Sequence, residues 1–316
     1  MAAIERESSQ LGAPALAPRA GEAPWWERNL SWLLISPTLL LLILFALGPS
    51  IFVIRYAVSH VRLIRGSTEF DFIGYDNFQR AWNDNLVRES AVITLKWMIG
   101  VTLSEVVLGL LLAVLITQDI RFRPVVTTLL IIPIIMPPVS VAIAWYFMYN
   151  GNFGIFNYLL GKAGVAPVQW LSDVDIALYA MMVVDIWQAT PFVFLLLFAA
   201  IVSLPRDPYE AAAIDGAGAL RVFRTITLPL MTPVLLIVIL LRLIDSARAF
   251  DKIYIMTKGG PGTSAYTMTL TTYVQAFVRL DWGYASALSF MFQIALIIMG
   301  TIYVKRMMTE YTAPTG

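Results

Sequence analysis

Residues 205–229 read PRDPYEAAAIDGAGALRVFRTITLP, and this stretch separates two long apolar segments. Asp207 is a favoured N-cap residue, and Pro208 suits the first helical position. Glu210 stands three residues after the cap, where its carboxylate can bond back to the cap in a capping box. The alanines at 211–213 favour a helix with little side-chain bulk. The stretch therefore predicts a short helix that begins at Asp207 and presents a flat surface.

The second half of this stretch predicts a turn and another short helix. Gly216 and Gly218 end the first helix and allow the chain to reverse. The residues from Ala219 to Phe223 favour a second helical stretch, which is followed by Pro229 at the start of the next apolar segment. We therefore expect a rigid helix–turn–helix between two apolar segments, with a surface suited to a cleft on another protein.

The composition indicates a membrane protein. Of the 316 residues, 59% are hydrophobic and 14% are charged, whereas soluble domains have roughly 45–50% apolar and about 25% charged residues. The net charge of +1 gives no basic footprint for nucleic acid. The chain has no cysteine, and His60 is its only histidine. Disulfides, thiol nucleophiles and histidine-rich metal sites are thereby excluded, and we expect His60 to be an ordinary surface residue.

The fold class predicted is all-α, an integral membrane protein with six transmembrane helices. A spanning helix needs about 20 mostly apolar residues. Six segments meet this requirement: 30–54, 91–117, 125–149, 177–203, 226–244 and 283–304. The stretch 265–279 is amphipathic and short, so we interpret it as an interfacial or re-entrant helix and not as a span.

Small residues and prolines modify these spans. Gly100 and Gly109 in the second span permit close approach of another helix. Pro133, Pro137 and Pro138 in the third span each remove a backbone donor, which favours a kink there.

The chain is expected to have three parts. Residues 1–28 form a disordered tail, because they lack an apolar period, and a signal peptide is not expected. Residues 29–306 form the six-span domain, which contains the loop 205–229, and residues 307–316 form a C-terminal tail. Lysine and arginine are equally frequent in the two sets of loops, so charge counting gives no orientation.

Charged residues inside spans are costly in lipid and usually face a cavity or a partner. Arg242 and Asp245 lie three apart on one helix and can pair. Together with Asp185 and Gln188 they could line a polar path for a hydroxyl-rich solute. The alternative is an internal ion pair without contact to solute. Glu105 and Lys96 also fall inside spans, and Lys96 is expected to reach the membrane edge.

The residue pattern resembles a known family. Glu210-Ala211-Ala212, Gly216 and Ile226-x-Leu228-Pro229 are spaced as in the EAA loop of permease subunits of bacterial ATP-binding-cassette (ABC) importers. Over roughly residues 30–306 the chain is similar to the six-span sugar permeases of the maltose and glycerol-3-phosphate type. The segments that carry this similarity, in chain order, are Ser36-Pro37, Gly48-Pro49, Phe72–Phe78, Pro137-Pro138-Val139, Gly259–Gly262 and Tyr284–Ser289.

The resemblance implies that the loop is a coupling helix that docks on a partner ATPase. The residues it implies for coupling are Glu210, Ala211, Ala212, Asp215, Gly216, Ala217, Phe223 and Pro229. It also implies a bacterial inner-membrane location with both termini cytoplasmic. The implied partners are a second permease subunit, two ABC ATPase subunits and an extracytoplasmic solute-binding protein. ATP and Mg would be bound by the ATPase, and this chain would bind no cofactor and catalyse no reaction.

Three other functions stay open at this point. The first is an ABC permease for a non-sugar solute such as an amino acid or polyamine, because importers of several classes share the coupling loop. The second is an ion-coupled secondary transporter, although no inverted repeat is visible. The third is a membrane enzyme, for which the chain offers no convergent nucleophile, base or metal ligands.

Overall fold

The computed structural model describes residues 25–64, 67–117 and 121–312. The chain divides into two units, residues 1–53 and residues 54–316. Most of the predicted N-terminal tail, residues 1–24, lies outside the described residues.

One long helix begins in the first unit. A short helix, α1 (Trp25–Arg28), precedes it. The long helix consists of α2 (Leu30–Leu42), a π-helical turn (Ile43–Leu47) and α3 (Gly48–Ala57). An 18-residue window of this helix has a mean hydropathy of 2.4, which qualifies the helix as a candidate membrane span. This helix confirms the first predicted span and extends it by one turn.

The second unit contains a hairpin and the remaining helices. Its elements are β1 (Ser59–Ile64), β2 (Ser67–Phe72), α4 (Asp76–Asn83), α5 (Asn85–Thr117), α6 (Arg123–Ile135), α7 (Pro138–Met148), α8 (Ile155–Lys162), α9 (Ala177–Val202), α10 (Asp207–Ile214), α11 (Ala219–Val222), a π-helical turn (Phe223–Thr227), α12 (Leu228–Ala247), α13 (Asp251–Thr257), α14 (Met268–Tyr273), a π-helical turn (Val274–Val278) and α15 (Trp282–Thr312).

The described residues contain five helices that are long and apolar enough to cross a membrane, or six if one bent pair is a single span. The bent pair is α6 and α7, which meet at an angle of 97°. The break consists of Met136 and Pro137, and α7 begins at Pro138. Neither proline has an N–H to continue the helix. Gln188 of α9 donates its Nε2 to the freed carbonyl of Met136 at 2.8 Å. The predicted kink in the third span is therefore confirmed, and a neighbouring side chain satisfies the broken backbone.

Helices α5 and α9 pack closely at Gly109. A Cβ added at Gly109 would lie 2.6 Å from Cγ1 of Val193, so only glycine allows this approach. The prediction that small residues of the second span permit close helix packing is confirmed at this position.

The hairpin β1–β2 was not predicted. Its strands pair antiparallel, with Ser59 opposite Phe72 and Val61 opposite Phe70. Within the second unit, Asn77 of α4 donates Nδ2 to the carbonyl of Ala57, the last residue of α3, at 2.9 Å and to that of Ser59 in β1 at 3.2 Å. The strands are short and mostly polar, so hydropathy periodicity carries little signal for them.

The stretch 265–279 forms α14 and a π-helical turn, and it is not among the spans. It is fixed to α5 by polar contacts, because Met268 N donates to Thr94 Oγ1 at 2.9 Å and the hydroxyls of Ser90 and Thr271 lie 2.6 Å apart. The prediction that this stretch is not a span is confirmed. At the C-terminus, α15 continues to Thr312, so most of the predicted tail 307–316 is helical.

Candidate functional site: an exposed loop helix and a buried ion network

The inter-span loop forms the predicted short helix, α10, but its cap differs from the prediction. Asp207 is the first helical residue, and the N-cap is Arg206, whose backbone is already helical at φ −81° and ψ −28°. Because the Arg206 carbonyl accepts from Tyr209 N and Glu210 N, the helix starts one residue earlier than a capping box requires. No side chain caps this end. The predicted capping role of Asp207 and Glu210 is therefore wrong, and the Glu210 side chain stays exposed.

Gly216 ends α10 in the way the sequence predicts. It has a φ of +66°, in the left-handed region that favours glycine. Gly216 N donates to the Ala213 carbonyl at 3.2 Å, and Ala217 N donates to the Ala212 carbonyl at 2.9 Å. These two bonds form a Schellman motif, which satisfies the last carbonyls of the helix and makes the turn rigid.

The loop exposes apolar side chains as well as its carboxylates. Ile214 is 88% exposed and Leu220 is 63% exposed. Ala212 is buried against the rest of the unit. Of the other residues implied for coupling, Ala217 and Phe223 are half-buried, and the exposed ones are Glu210, Ala211, Asp215, Gly216 and Pro229. The loop thus presents a mixed apolar and acidic surface on a fixed backbone.

The second helix of the loop is continuous with the following span. The predicted stretch from Ala219 to Phe223 runs as α11 into a π-helical turn and then into α12, which makes one helix from Ala219 to Ala247. Tyr209 of α10 donates its hydroxyl to Thr227 Oγ1, in the π-helical turn, at 3.0 Å. The two halves of the loop are therefore linked by a side-chain bond as well as by the turn.

A buried ion network joins three of the spans. Arg242 of α12 donates to both carboxylate oxygens of Glu105 on α5, through Nε at 2.6 Å and Nη2 at 2.9 Å. Its Nη1 donates to Asp245 at 2.6 Å, and its Nη2 lies 3.5 Å from Asp185 of α9. Lys252 of α13 pairs with the other oxygen of Asp185. Glu105 and Arg242 are almost completely buried, so each needs the other to compensate its lost hydration.

The predicted pairing of Arg242 with Asp245 is confirmed by this geometry. The bidentate bond with Glu105 and the pairing of Lys252 with Asp185 were not predicted. The sequence indicated Glu105 as a charged residue inside a span, although without a partner. It gave no indication of Lys252, which lies in a predicted loop.

The four residues predicted for a polar path line one cavity of about 470 Å³. These residues are Asp185, Gln188, Arg242 and Asp245, and the bent α6–α7 pair contributes Met136 and Pro138 to the same wall. Lys96, in contrast, is exposed and lines a separate cavity. The geometry brings the predicted residues together, and their contact with a solute stays a prediction.

Spanning helices around a polar cavity, with a rigid exposed loop between two of them, define a multi-pass membrane transport protein. The family model for the inner membrane component of binding-protein-dependent transport systems matches residues 105–308. The chain belongs to this family, and it is a permease component of an ABC importer.

Curated relatives match along most of the chain. The trehalose/maltose transport system permease protein MalF of Thermococcus litoralis is 34% identical over 88% of this chain and 94% of its own length. The sulfoquinovosyl glycerol permease SmoG of Agrobacterium fabrum is 29% identical over 90% of this chain and 92% of its own. The sn-glycerol-3-phosphate permease UgpA of Shigella flexneri is 29% identical over 87% of this chain and 93% of its own.

The fold has a close match among solved structures. A chain of a bacterial ABC transporter that imports the acidic polysaccharide alginate superposes with a TM-score of 0.79. The match covers 90% of this chain and 97% of the other at 20% sequence identity. This likeness establishes the fold, a type I ABC importer permease.

Proposed function

We propose that this chain carries a sugar or sugar derivative across the bacterial cytoplasmic membrane as one of two permease subunits. Two ABC ATPase subunits drive it and bind the ATP and Mg. An extracytoplasmic solute-binding protein delivers the solute. The names of the similar relatives, for trehalose/maltose and sulfoquinovosyl glycerol, support a sugar over an amino acid or a polyamine.

The observation that carries the coupling role is the surface of the loop. Ile214, four residues after the acidic Glu210 on α10, and Leu220 on α11 are large apolar side chains that are exposed in the loop 205–229. Large exposed apolar surfaces mark interaction sites. Because the helix cap does not use the Glu210 carboxylate, this group is free to pair with a basic residue of the ATPase.

The mechanism follows from the continuity of the helices. A displacement of α10 by the ATPase passes through the Schellman turn and the Tyr209–Thr227 bond to the helix Ala219–Ala247. That helix carries Arg242, which lines the cavity. Nucleotide-driven movement at the loop would therefore change the ion network, and with it the access to the cavity.

Docking can be tested by co-purification. We expect the substitution Ile214→Glu to abolish recovery of the ATPase with the tagged permease from mild detergent, because it places a charge in an apolar contact. The matched control is Phe72→Glu, which replaces an apolar residue 80% exposed on the hairpin and should leave recovery unchanged. Full recovery of the ATPase with Ile214→Glu would contradict the docking role.

The orientation can be tested with single cysteines, because the chain has none of its own. With both termini cytoplasmic, the loop 205–229 is cytoplasmic and the loop after α7 is outside. A membrane-impermeant thiol reagent should label Asn152→Cys in intact spheroplasts and Gly218→Cys only after permeabilisation. The reverse labelling pattern would contradict this orientation.

A further inference from the structure

An apolar groove of about 490 Å³ lies between α5 and α15 in the second unit, and α4 and α14 contribute to its walls. Along α5 its lining begins at Val87 and ends at Met98. These two residues are separated by about 17 Å of helix, at about 1.5 Å per residue. The hydrocarbon core of a bilayer is about 30 Å thick. The groove is therefore about as long as one leaflet is deep.

The dimensions of the groove suit a single acyl chain. A helix of the same length, with a diameter of about 10 Å, fills about 1,300 Å³. Another spanning helix can therefore cover the mouth of the groove but cannot enter it. An acyl chain is only one methylene group wide, so it can lie inside along the full length.

The walls of the groove favour hydrocarbon. The lining is apolar apart from Arg88, Thr94 and the indole N–H of Trp82. The Thr94 hydroxyl is already used, because it donates to the Ser90 carbonyl at 2.7 Å and accepts from Met268 N at 2.9 Å. Methionine side chains are unbranched and flexible, so they adapt to chains of different shape. The groove has four of them, which are Met98, Met268, Met291 and Met299.

A cation lies at the end of the groove that is nearest to the start of α5. Arg88 is exposed, and its Nη2 donates to the Trp82 carbonyl at 3.1 Å. Trp82 is 72% exposed, and tryptophan is enriched where membrane meets water. The guanidinium has further N–H groups in a fork that matches a phosphate. An acyl chain in the groove would thus have its headgroup beside a suitable cation.

The neighbouring carboxylates leave Arg88 available. Asp84 accepts from the Tyr284 hydroxyl at 2.7 Å, and Glu89 accepts from Thr263 Oγ1 at 3.4 Å. Among the described residues, Arg88 forms no ion pair. A phosphate can therefore bind Arg88 without displacing a carboxylate.

We propose that this groove is a phospholipid site, in which one acyl chain fills the groove and Arg88 holds the phosphate. With the loop 205–229 in the cytoplasm, α5 and α15 both begin on the extracytoplasmic side. The lipid then belongs to the outer leaflet. The leaflet rests on the proposed orientation, whereas the site itself rests only on the location of the chain in a membrane.

The test is photolabelling of the assembled permease–ATPase complex in nanodiscs of phosphatidylethanolamine. The probe is phosphatidylglycerol with a diazirine at the methyl end of one acyl chain, and adducts are located by mass spectrometry after digestion. We expect adducts on Met98 and Met299, the lining residues farthest along α5 and α15. Diacylglycerol with the same diazirine lacks the phosphate. It should label these residues about tenfold less, as for the loss of one hydrogen bond to a charged group.

Three variants sharpen the test. Ala295→Phe places a ring in the groove and should abolish the adducts on Met98. The matched control is Ile297→Phe on the same helix, because Ile297 is 58% exposed and does not line the groove. Arg88→Gln should lower labelling by phosphatidylglycerol to the level of diacylglycerol. All three positions are exposed, and the comparison of the two probes needs no substitution.

Four results would overturn the inference. They are adducts spread evenly over exposed residues such as Leu103 and Ile297, equal labelling by the two probes, unchanged labelling in Ala295→Phe, and no adduct in the groove. The last result would mean that another protein chain covers the groove. ATPase recovery is measured on the same preparation. If the ATPase is recovered while the inference fails, the importer function stands and only the lipid site is wrong.

Discussion

The hydroxyl of Tyr209 donates to Thr227 Oγ1 at 3.0 Å, and this bond ties the exposed loop helix to the first turns of the helix that follows. Thr227 is buried, so the bond is largely shielded from water. It is a side-chain link between α10 and the π-helical turn that precedes α12.

We predict that Tyr209→Phe lowers the number of solute molecules transported per ATP hydrolysed in proteoliposomes. The substitution removes one hydrogen bond worth about 1 kcal/mol and keeps the ring. The control is Thr225→Val, because among the described residues the Thr225 hydroxyl bonds only the Arg221 carbonyl of its own helix. Equal transport ratios in Tyr209→Phe and the wild type would show that the bond does not carry motion.

We predict that Gly216→Ala weakens ATPase co-purification and transport. A residue with a Cβ in the left-handed region costs roughly 1–2 kcal/mol, which the turn can relieve only by moving α10. Gly218→Ala is a matched control, since neither glycine has a neighbour within 4 Å of an added Cβ and Gly218 has an ordinary φ of −69°. Similar defects in Gly216→Ala and Gly218→Ala would show that the left-handed conformation of Gly216 is not the cause.

We predict that Arg242→Met lowers the free energy of unfolding by about 3–5 kcal/mol, because it leaves Glu105 buried without a partner. The double variant Arg242→Met with Glu105→Leu should recover part of this loss. Thermal unfolding of the purified complex measures the loss in the single variant and the recovery in the double variant.

A surface ion pair provides the comparison for this prediction. Arg62 and Asp71 lie 3.6 Å apart and more than half exposed on the hairpin. Removing such a pair costs at most about 1 kcal/mol. If Arg62→Ala destabilised the protein as much as Arg242→Met, burial would not be the cause.

We predict that Gly283→Ala and Gly300→Ala, both in α15, change stability in opposite directions. A Cβ at Gly283 would lie 2.3 Å from the Ser59 carbonyl oxygen, whereas Gly300 has open space around it. At an unhindered helix position, alanine stabilises the folded protein by about 0.5–1 kcal/mol relative to glycine. Melting temperatures should therefore rise for Gly300→Ala and fall for Gly283→Ala. A rise in both would contradict the close packing of α15 on the hairpin.

The spans and the loop could be predicted because their signals are local. Hydropathy located the six apolar segments, and Pro137 and Pro138 located the break in the third span. Glycine at 216 and 218 predicted the end of the first loop helix, although only Gly216 adopts the left-handed conformation. The pairing of Arg242 with Asp245 follows from a spacing of three on one helix.

The remaining features depend on contacts that the sequence pattern does not contain. Arg242 and Glu105 are 137 positions apart, and Lys252 comes from a segment with no apolar period. Their meeting depends on how the helices pack. The loop helix begins after Arg206 because of that residue's backbone angles, which its side-chain type does not fix. The hairpin was missed because its strands are short and polar.

The length of the helix from Ala219 to Ala247 determines how far Arg242 moves when the loop end of the helix tilts. Leu220 on the exposed surface and Arg242 in the ion network are separated by about 33 Å of helix, at about 1.5 Å per residue. If this helix pivots at its loop end, a tilt of about 5° moves Arg242 by about 3 Å, the length of one hydrogen bond. A rotation of this size would thus be enough to separate the guanidinium of Arg242 from the Glu105 carboxylate.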